Sequence, residues 1–334
     1  MKRNNLIGML AMSFILGSFG FFALGAMAQD VYPSKEITLT CNSAAGGGYD
    51  IYARMVAPYM TKYLKELSPN AKGGDVKVKN MPGASGLQAY EYVLQAKPDG
   101  YTFGDFNSGS LYAMLYGSQK IGFDPRSYTW LFSLTKTTRV FISNKKGLAT
   151  WEELVAKSKK EPLTLIVPQF GTTAHLDCIC AVEITKIPAK IVAMEGTADV
   201  VNAVIRGDAD AALVSYDSVS TVAEAKEVNT LVSFTEEKIL PWVPTIVEKG
   251  FPDCTKYMRR IGRHFMAPPN LDPERERLLV AAGRKMLADP GFIDFLIKRK
   301  SDVQPLFGKE LKESVKVEIE DIDKWVPIFK KYGL

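Results

Sequence analysis

Residues 35–55 read Lys-Glu-Ile-Thr-Leu-Thr-Cys-Asn-Ser-Ala-Ala-Gly-Gly-Gly-Tyr-Asp-Ile-Tyr-Ala-Arg-Met, a strand, a loop of small residues and the start of a helix with almost nothing between them. Ile37 and Leu39 alternate with Thr38 and Thr40 as strand residues do. Gly46, Gly47 and Gly48 carry no Cβ, so a ligand can reach bare backbone N–H groups. The helix that follows leaves its first N–H donors unpaired and turns the positive end of its dipole toward the loop. Such a cradle suits a carboxylate or a phosphate, and a side chain at Gly47 is expected to fall where that anion sits. A tight strand-to-helix turn is the plainer reading of the same glycines.

Outward from this unit, strands and helices alternate. Strands are expected over 76–78, 102–106, 163–167, 191–193 and 211–214, separated by helical stretches. That is the pattern of an α/β protein with a parallel or mixed sheet covered by helices. The first helix carries Ile51, Met55, Tyr59, Tyr63 and Leu67 near one face. Thr150-Trp151-Glu152-Glu153 is a capping box, Gly207 a helix stop, and Asp272-Pro273-Glu274 a capped helix start with proline at the first position. From residue 289 the tail reads as helical and charged.

Candidate ligand residues cluster at strand ends. Asn107 and Ser108 leave the carboxyl end of the 102–106 strand, where open α/β sheets bind ligands. After the 163–167 strand the opening pattern recurs as Gln169-Phe170-Gly171-Thr172-Thr173, with a helix from about Ala174 and His175 in its first turn. Gly171, Thr172 and Thr173 offer hydroxyls and early N–H groups to an anion. Tyr216 and Asp217 leave the 211–214 strand at the same kind of edge. Two such loops in different halves of one chain suggest a cleft gripped from both sides.

Composition narrows the class. Lys2 and Arg3, an apolar run over 6–24 and Ala26-Met27-Ala28 read as a secretory signal peptide cleaved after Ala28, with an uncleaved anchor as the alternative. Its removal lowers the net charge from +5 to +3, since residues 1–28 hold no acid. So mild a balance argues against nucleic acid, whose binders concentrate Lys and Arg in a stripe. The remaining three hundred or so residues exceed one comfortable core, so two domains are the default. In an oxidising compartment Cys41, Cys178, Cys180 and Cys254 allow one or two disulfides, with buried thiols as the alternative; Cys178 and Cys180 point apart on one helix.

Tyr32-Pro33-Ser34-Lys35, Ala44-Ala45-Gly46-Gly47 with Asp50 and Ala53-Arg54, Asn80-Met81-Pro82-Gly83-Ala84, and Pro98-Asp99-Gly100-Tyr101-Thr102 occur in this order. They are followed by Gly171-Thr172-Thr173-Ala174-His175-Leu176, Val243-Pro244-Thr245, Gly250-Phe251-Pro252, Ala267-Pro268 and Ala288-Asp289-Pro290. Together they resemble the periplasmic substrate-binding proteins of tripartite tricarboxylate transporters, the Bug receptors. The resemblance implies a two-lobed, Venus-flytrap protein of type II with a mixed sheet in each lobe, closing on a small organic acid and delivering it to membrane permease subunits. It implies a first lobe of 29–134 plus 255–334 and a second of 135–254, with hinge crossings near 134–142 and 254–267. It places Ser43, Ala44, Ala45, Gly46, Gly47, Gly48 and Tyr49 on one carboxylate, and Gly171, Thr172 and Thr173, with Tyr216 and Asp217 nearby, on the other end. Di-, tri- and aromatic carboxylates all fit this description. No cofactor is called for, and a monomer suits a carrier.

Each residue also has a plainer role. Asp50 caps the first helix or selects a ligand hydroxyl or amino group, and His175 is a structural group of a first helical turn or a ligand contact. Two other functions stay open from the residues alone. An exported enzyme has weak support, because Gly46-x-Gly48 lacks the third glycine of a dinucleotide fingerprint and no Gly-x-Ser-x-Gly elbow occurs, leaving a His175–Cys178 thiol dyad. A metal protein using His175, Cys178 and Cys180 meets the difficulty that these groups spread around one helix.

Overall fold

Residues 31–117, 123–136, 138–258 and 262–334 are described by a computed structural model. The signal peptide expected over 1–28 lies outside the described residues.

Where Ile37 and Leu39 alternate with threonines, strand β1 (Ile37–Cys41) forms, and of its five residues only Thr38 is not fully buried. The reason is its position: β2 (Val76–Asn80) and β3 (Thr102–Asn107) run parallel to it on either side, and helices cover the faces. Helices α1 (Gly48–Leu67), α2 (Leu87–Gln95) and α3 (Ser110–Tyr116) follow these strands in turn, and β4 (Thr129–Lys136) ends the first run of the chain.

A second sheet is then built by β5 (Arg139–Asn144), α4 (Trp151–Ser158), β6 (Leu163–Pro168), α5 (Thr173–Thr185), β7 (Ala189–Met194), α6 (Thr197–Arg206), β8 (Ala211–Ser215), α7 (Tyr216–Glu224) and β9 (Val228–Ser233). After α8 (Asp253–Tyr257), β10 (Gly262–Ala267) returns to the first sheet. Then come α9 (Pro273–Met286), α10 (Pro290–Lys298), the edge strand β11 (Asp302–Phe307) and α11 (Lys309–Lys331). The tail expected to be helical throughout thus contains a strand.

The two sheets run β11-β4-β10-β3-β1-β2 and β7-β6-β8-β5-β9. Both are mixed and share one plan. A leading strand, β1 or β6, lies between two parallel partners, and the partner formed later in the chain, β3 or β8, is flanked on its far side by an antiparallel strand, β10 or β5. The molecule is therefore a two-lobed α/β protein with a mixed sheet in each lobe.

Helix α1 covers the first sheet with Tyr52, Val56, Met60 and Leu64, packed on Ile37, Leu39, Phe103 and Phe265. Its buried face is centred one position beyond the one the pattern suggests: of Ile51, Met55, Tyr59, Tyr63 and Leu67, only Tyr63 is fully buried. Each such aliphatic or aromatic side chain contributes roughly 1.5–3 kcal/mol by leaving water. Helix α11 straps the lobes together. Leu311, Val315 and Ile319 pack with Phe106, Trp130 and Met266 of the first sheet, whereas Trp325 and Phe329 pack with Leu176 and Ile179 of α5. Among the described residues no helix is long and apolar enough to cross a membrane. All four cysteines are free and buried, and burial pushes the Cys41 and Cys254 thiols up to about 12.

Candidate functional site

The first loop is held in shape largely by its own groups. Gly46 sits at φ +82°, in the left-handed region that glycine favours. Its N–H donates to Asp50 Oδ2 at 2.8 Å, and Gly47 N–H donates to the Ala44 carbonyl at 2.9 Å. Ser43 Oγ accepts the Asp50 N–H at 3.1 Å, and Asn80 Nδ2 donates to both the Ser43 carbonyl and Asp50 Oδ1, at 2.9 and 2.7 Å. Burial pushes the Asp50 carboxyl up, but the bonds from Arg54, Asn80 and Gly46 more than offset it and hold the group below its usual range. With both its oxygens engaged, Asp50 holds the loop. The N–H groups of Gly48 and Tyr49, at the first two positions of α1, have no partner among the described residues. A Cβ on Gly47 would lie 2.9 Å from both Ala44 O and Ser43 Oγ, inside the loop itself; one on Gly48 meets nothing within 4 Å. Gly46 and Gly48, not Gly47, face open space, and of these two only Gly48 has a backbone that a larger residue adopts without strain.

The second loop repeats the device. Gly171 has φ +71°, and its N–H donates to His175 Nδ1 at 3.1 Å. Counting from the helix N-caps, Gly47 and Thr172, Asp50 and His175 both stand three residues on, and Gly46 and Gly171 both stand one before. Two different side chains therefore perform one task. Burial pushes His175 down to about 4, so it is a neutral acceptor at neutral pH. Thr172 Oγ1 donates to the Pro168 and Gln169 carbonyls at 2.8 and 3.0 Å, which keeps its hydroxyl proton within the loop.

The lobes meet at these loops. Asn107 Oδ1 accepts the Gly109 N–H at 2.9 Å, turning the chain after β3 so that Gly109 abuts Thr173 at the start of α5. Ser108 is buried in the same seam and its hydroxyl has no partner among the described residues. Arg263 of β10 donates from Nη2 to Asp217 Oδ2 of α7 at 2.5 Å, with the two side chains 7 and 9% exposed. Tyr52 Oη donates to the same oxygen at 3.0 Å, and the guanidinium lies 3.9 Å from the Tyr52 ring and 4.9 Å from the Tyr49 ring. Burial pushes Asp217 up, yet Arg263 and the Tyr52 hydroxyl hold its carboxyl below the usual range. Breaking a buried pair of this kind by removing one partner costs roughly 3–5 kcal/mol. On the second-lobe side Arg139 donates from Nε to Asp177 Oδ2 at 2.8 Å and from Nη1 to Ser215 Oγ at 2.5 Å. Behind the first loop, Asp105 Oδ1 accepts the Asn42 N–H at 2.8 Å while Oδ2 has no partner among the described residues, and burial pushes this carboxyl up to about 7.

Of the residues singled out by sequence, those of the first loop, Asn107, Ser108, those of the second loop, His175 and Asp217 line this seam or hold its loops. Tyr216 does not: it is 1% exposed and packs in the core with Val140, Val214 and Val219, because it opens α7 with its ring turned behind the sheet. Arg139, Arg263, Tyr52, Asp177 and Asp105 escaped the sequence reading. Their only local signal is a charge or hydroxyl inside a buried apolar run, near a strand or helix end at the ligand edge. His175 Nδ1 is occupied by the Gly171 N–H, and burial pushes the Cys178 and Cys180 thiols up, away from thiolate chemistry. Among the described residues no three His, Cys, Asp or Glu side chains are placed to hold a metal ion.

Residues 56–334 match the model of the tripartite tricarboxylate transporter family receptor. An Agrobacterium vitis protein encoded in the TAR-I ttuE-ttuC' intergenic region is 32% identical over 283 residues, 80% of this chain and 76% of its own length. The fold is similar to that of the periplasmic binding protein BugD, with a TM-score of 0.74 at 23% identity over 90% of this chain and 99% of that one. It is equally similar to Rpa4515 of R. palustris, solved with adipate, with a TM-score of 0.74 at 21% identity over 88% of this chain and 96% of that one. The two-lobed fold, the paired glycine loops and the match over most of the sequence agree: this chain belongs to the family of tripartite tricarboxylate transporter receptors.

Proposed function

We propose that this protein is an extracytoplasmic solute receptor that binds a small organic carboxylate between its lobes and hands it to the permease subunits of a tripartite tricarboxylate transporter. It acts as a carrier and not as an enzyme, as a monomer and without a cofactor, after export and cleavage behind Ala28. The lobes comprise 29–134 plus 255–334 and 135–254, with crossings near 134–142 and 254–267 and α11 spanning the two. One end of the acid meets the loop of Ser43, Ala44, Ala45, Gly46, Gly47, Gly48 and Tyr49, with Asp50 shaping it; the other meets Gly171, Thr172 and Thr173, shaped by His175. Asn107 and Ser108 border the seam, and Asp217 closes it.

The observation that carries this reading is the pairing of two glycine loops, one per lobe, at a single seam that also holds two buried arginines. Unpaired N–H groups at the start of α1 suit a carboxylate, each helix end adding roughly 0.3–1 kcal/mol and each charge-assisted hydrogen bond roughly 1.5–3 kcal/mol. A few such contacts give micromolar affinity, about 8 kcal/mol. Because the ligand touches both lobes only when they are closed, binding draws the population toward closure. The similarity to a protein solved with adipate supports a carboxylate as the ligand class. A thermal-shift panel of mono-, di-, tri- and aromatic carboxylates tests it: one acid is expected to raise the melting temperature by linkage, and no response to any acid would remove the reading.

A further inference from the structure

The two lobes repeat one plan closely enough to be compared residue by residue. Arg263, the second residue of β10, is paired in register with Asn107, the last residue of β3; Arg139, the first residue of β5, is paired with Ser215, the last residue of β8. The two arginines hold equivalent places at the ligand edge of their sheets. Five residues beyond the N-cap of the facing helix stands Asp177 in the second lobe and Tyr52 in the first. Arg139 therefore has a carboxylate within its own lobe, at 2.8 Å. Arg263 has an aromatic ring there instead.

Stacking on Tyr52 and Tyr49 fixes the plane of the Arg263 guanidinium without supplying an anion. Asp105, the acid near it in its own lobe, uses Oδ1 for the Asn42 N–H and makes no hydrogen bond to it. The anion comes from across the cleft. Asp217 Oδ2 sits between Arg263 Nη2 and Tyr52 Oη, as the oxygen of any carboxylate would. The fit is incomplete, since Arg263 Nε is buried with no partner among the described residues. A free carboxylate, not tied to α7, can bond Nε and Nη2 together in the two-point geometry that guanidinium favours. Asp217, once released, stays in the first turn of α7, where the helix dipole stabilises its charge.

We propose that Arg263 anchors one carboxylate of the ligand in the first lobe, and that Asp217 is the resident substitute which the ligand displaces. This rests on the receptor reading above and adds the residue that reads the charge. The exchange of one carboxylate for another keeps an anion on Arg263 throughout, so the buried guanidinium is not left unpaired.

Calorimetric titration with succinate, adipate and benzoate separates the possibilities. Asp217→Asn removes the internal competitor's charge and is expected to tighten acid binding by about tenfold. Arg263→Gln alone strands a buried carboxylate and risks misfolding, so the anchor is tested in Arg263→Gln/Asp217→Asn, which leaves a neutral pair of similar shape. That double variant is expected to weaken binding at least tenfold relative to Asp217→Asn. Equal affinity in those two variants would overturn the anchor, and unchanged or weaker binding in Asp217→Asn would overturn the substitute. If the wild-type protein and Asp217→Asn both ignore these three acids and every acid of the thermal-shift panel, the receptor reading falls and this inference with it.

Discussion

Gly109 of the first lobe and Thr173 of the second touch so closely that a Cβ on Gly109 would lie 2.5 Å from the Thr173 backbone nitrogen. No side-chain rotation relieves a contact with backbone, so any larger residue must push the lobes apart. Gly109→Val is expected to lower ligand affinity at least tenfold and to enlarge the radius of gyration in small-angle scattering, while the melting transition moves little. Wild-type scattering and affinity in the variant would show that this contact does not govern closure.

Gly48 and Gly47 separate the ligand role of the first loop from its structural role. With open space at its Cβ position, Gly48→Leu is expected to keep the melting temperature and lose ligand binding. Gly47→Leu, which collides with Ser43 and Ala44, is expected to lower both. Equal effects on stability from the two substitutions would place both glycines in the turn's own packing.

Acid titration should reveal two buried groups working against each other. His175, pushed down to about 4 in the fold from its ordinary value of 6.5, takes up its proton first in the unfolded chain. Its stabilisation is complete above about 6.5 and is lost as pH falls toward 4. Asp105, pushed up to about 7 from 3.8, keeps in the fold a proton that the unfolded chain releases, so its contribution is complete below about 4 and is lost as pH rises to 7. Asp105→Asn is expected to make stability rise with pH, relative to wild type, between 4.5 and 6.5, and His175→Gln to make it fall. Each slope approaches about 1.4 kcal/mol per pH unit, measurable by urea unfolding. Two variants with the wild-type slope would refute both assignments.

The cysteines offer a simple count. All four are buried and free, with raised thiol pKa values. Ellman's reagent is expected to find none in the native protein and four in denaturant. Fewer than four after unfolding under non-reducing conditions would mean that a disulfide forms.

Much of the architecture was legible because it is local. The capping residues Thr150 and Asp272 accept helix N–H groups as their positions predict, and Gly207 ends α6 in the left-handed conformation. Both glycine loops lie where strand meets helix. Strands β4, β9 and β11 were not read, since their burial comes from neighbours distant in sequence. Helix α7 was missed because its first turn, Tyr216-Asp217-Ser218 after Ser215, is made of residues that suit a loop as well as a helix start.

The sequence by itself determined the alternating strands and helices, the two anion-suited turns and the family, because short-range spacing, chirality and the needs of helix ends are written into neighbouring residues. Only the tertiary structure decided that Asp50 and His175 do the same work, that Tyr216 faces a core, and that Arg263 must take its counterion from the opposite lobe. Those outcomes depend on which groups lose their water together, and that is settled by sheets and helices brought side by side from opposite ends of the chain.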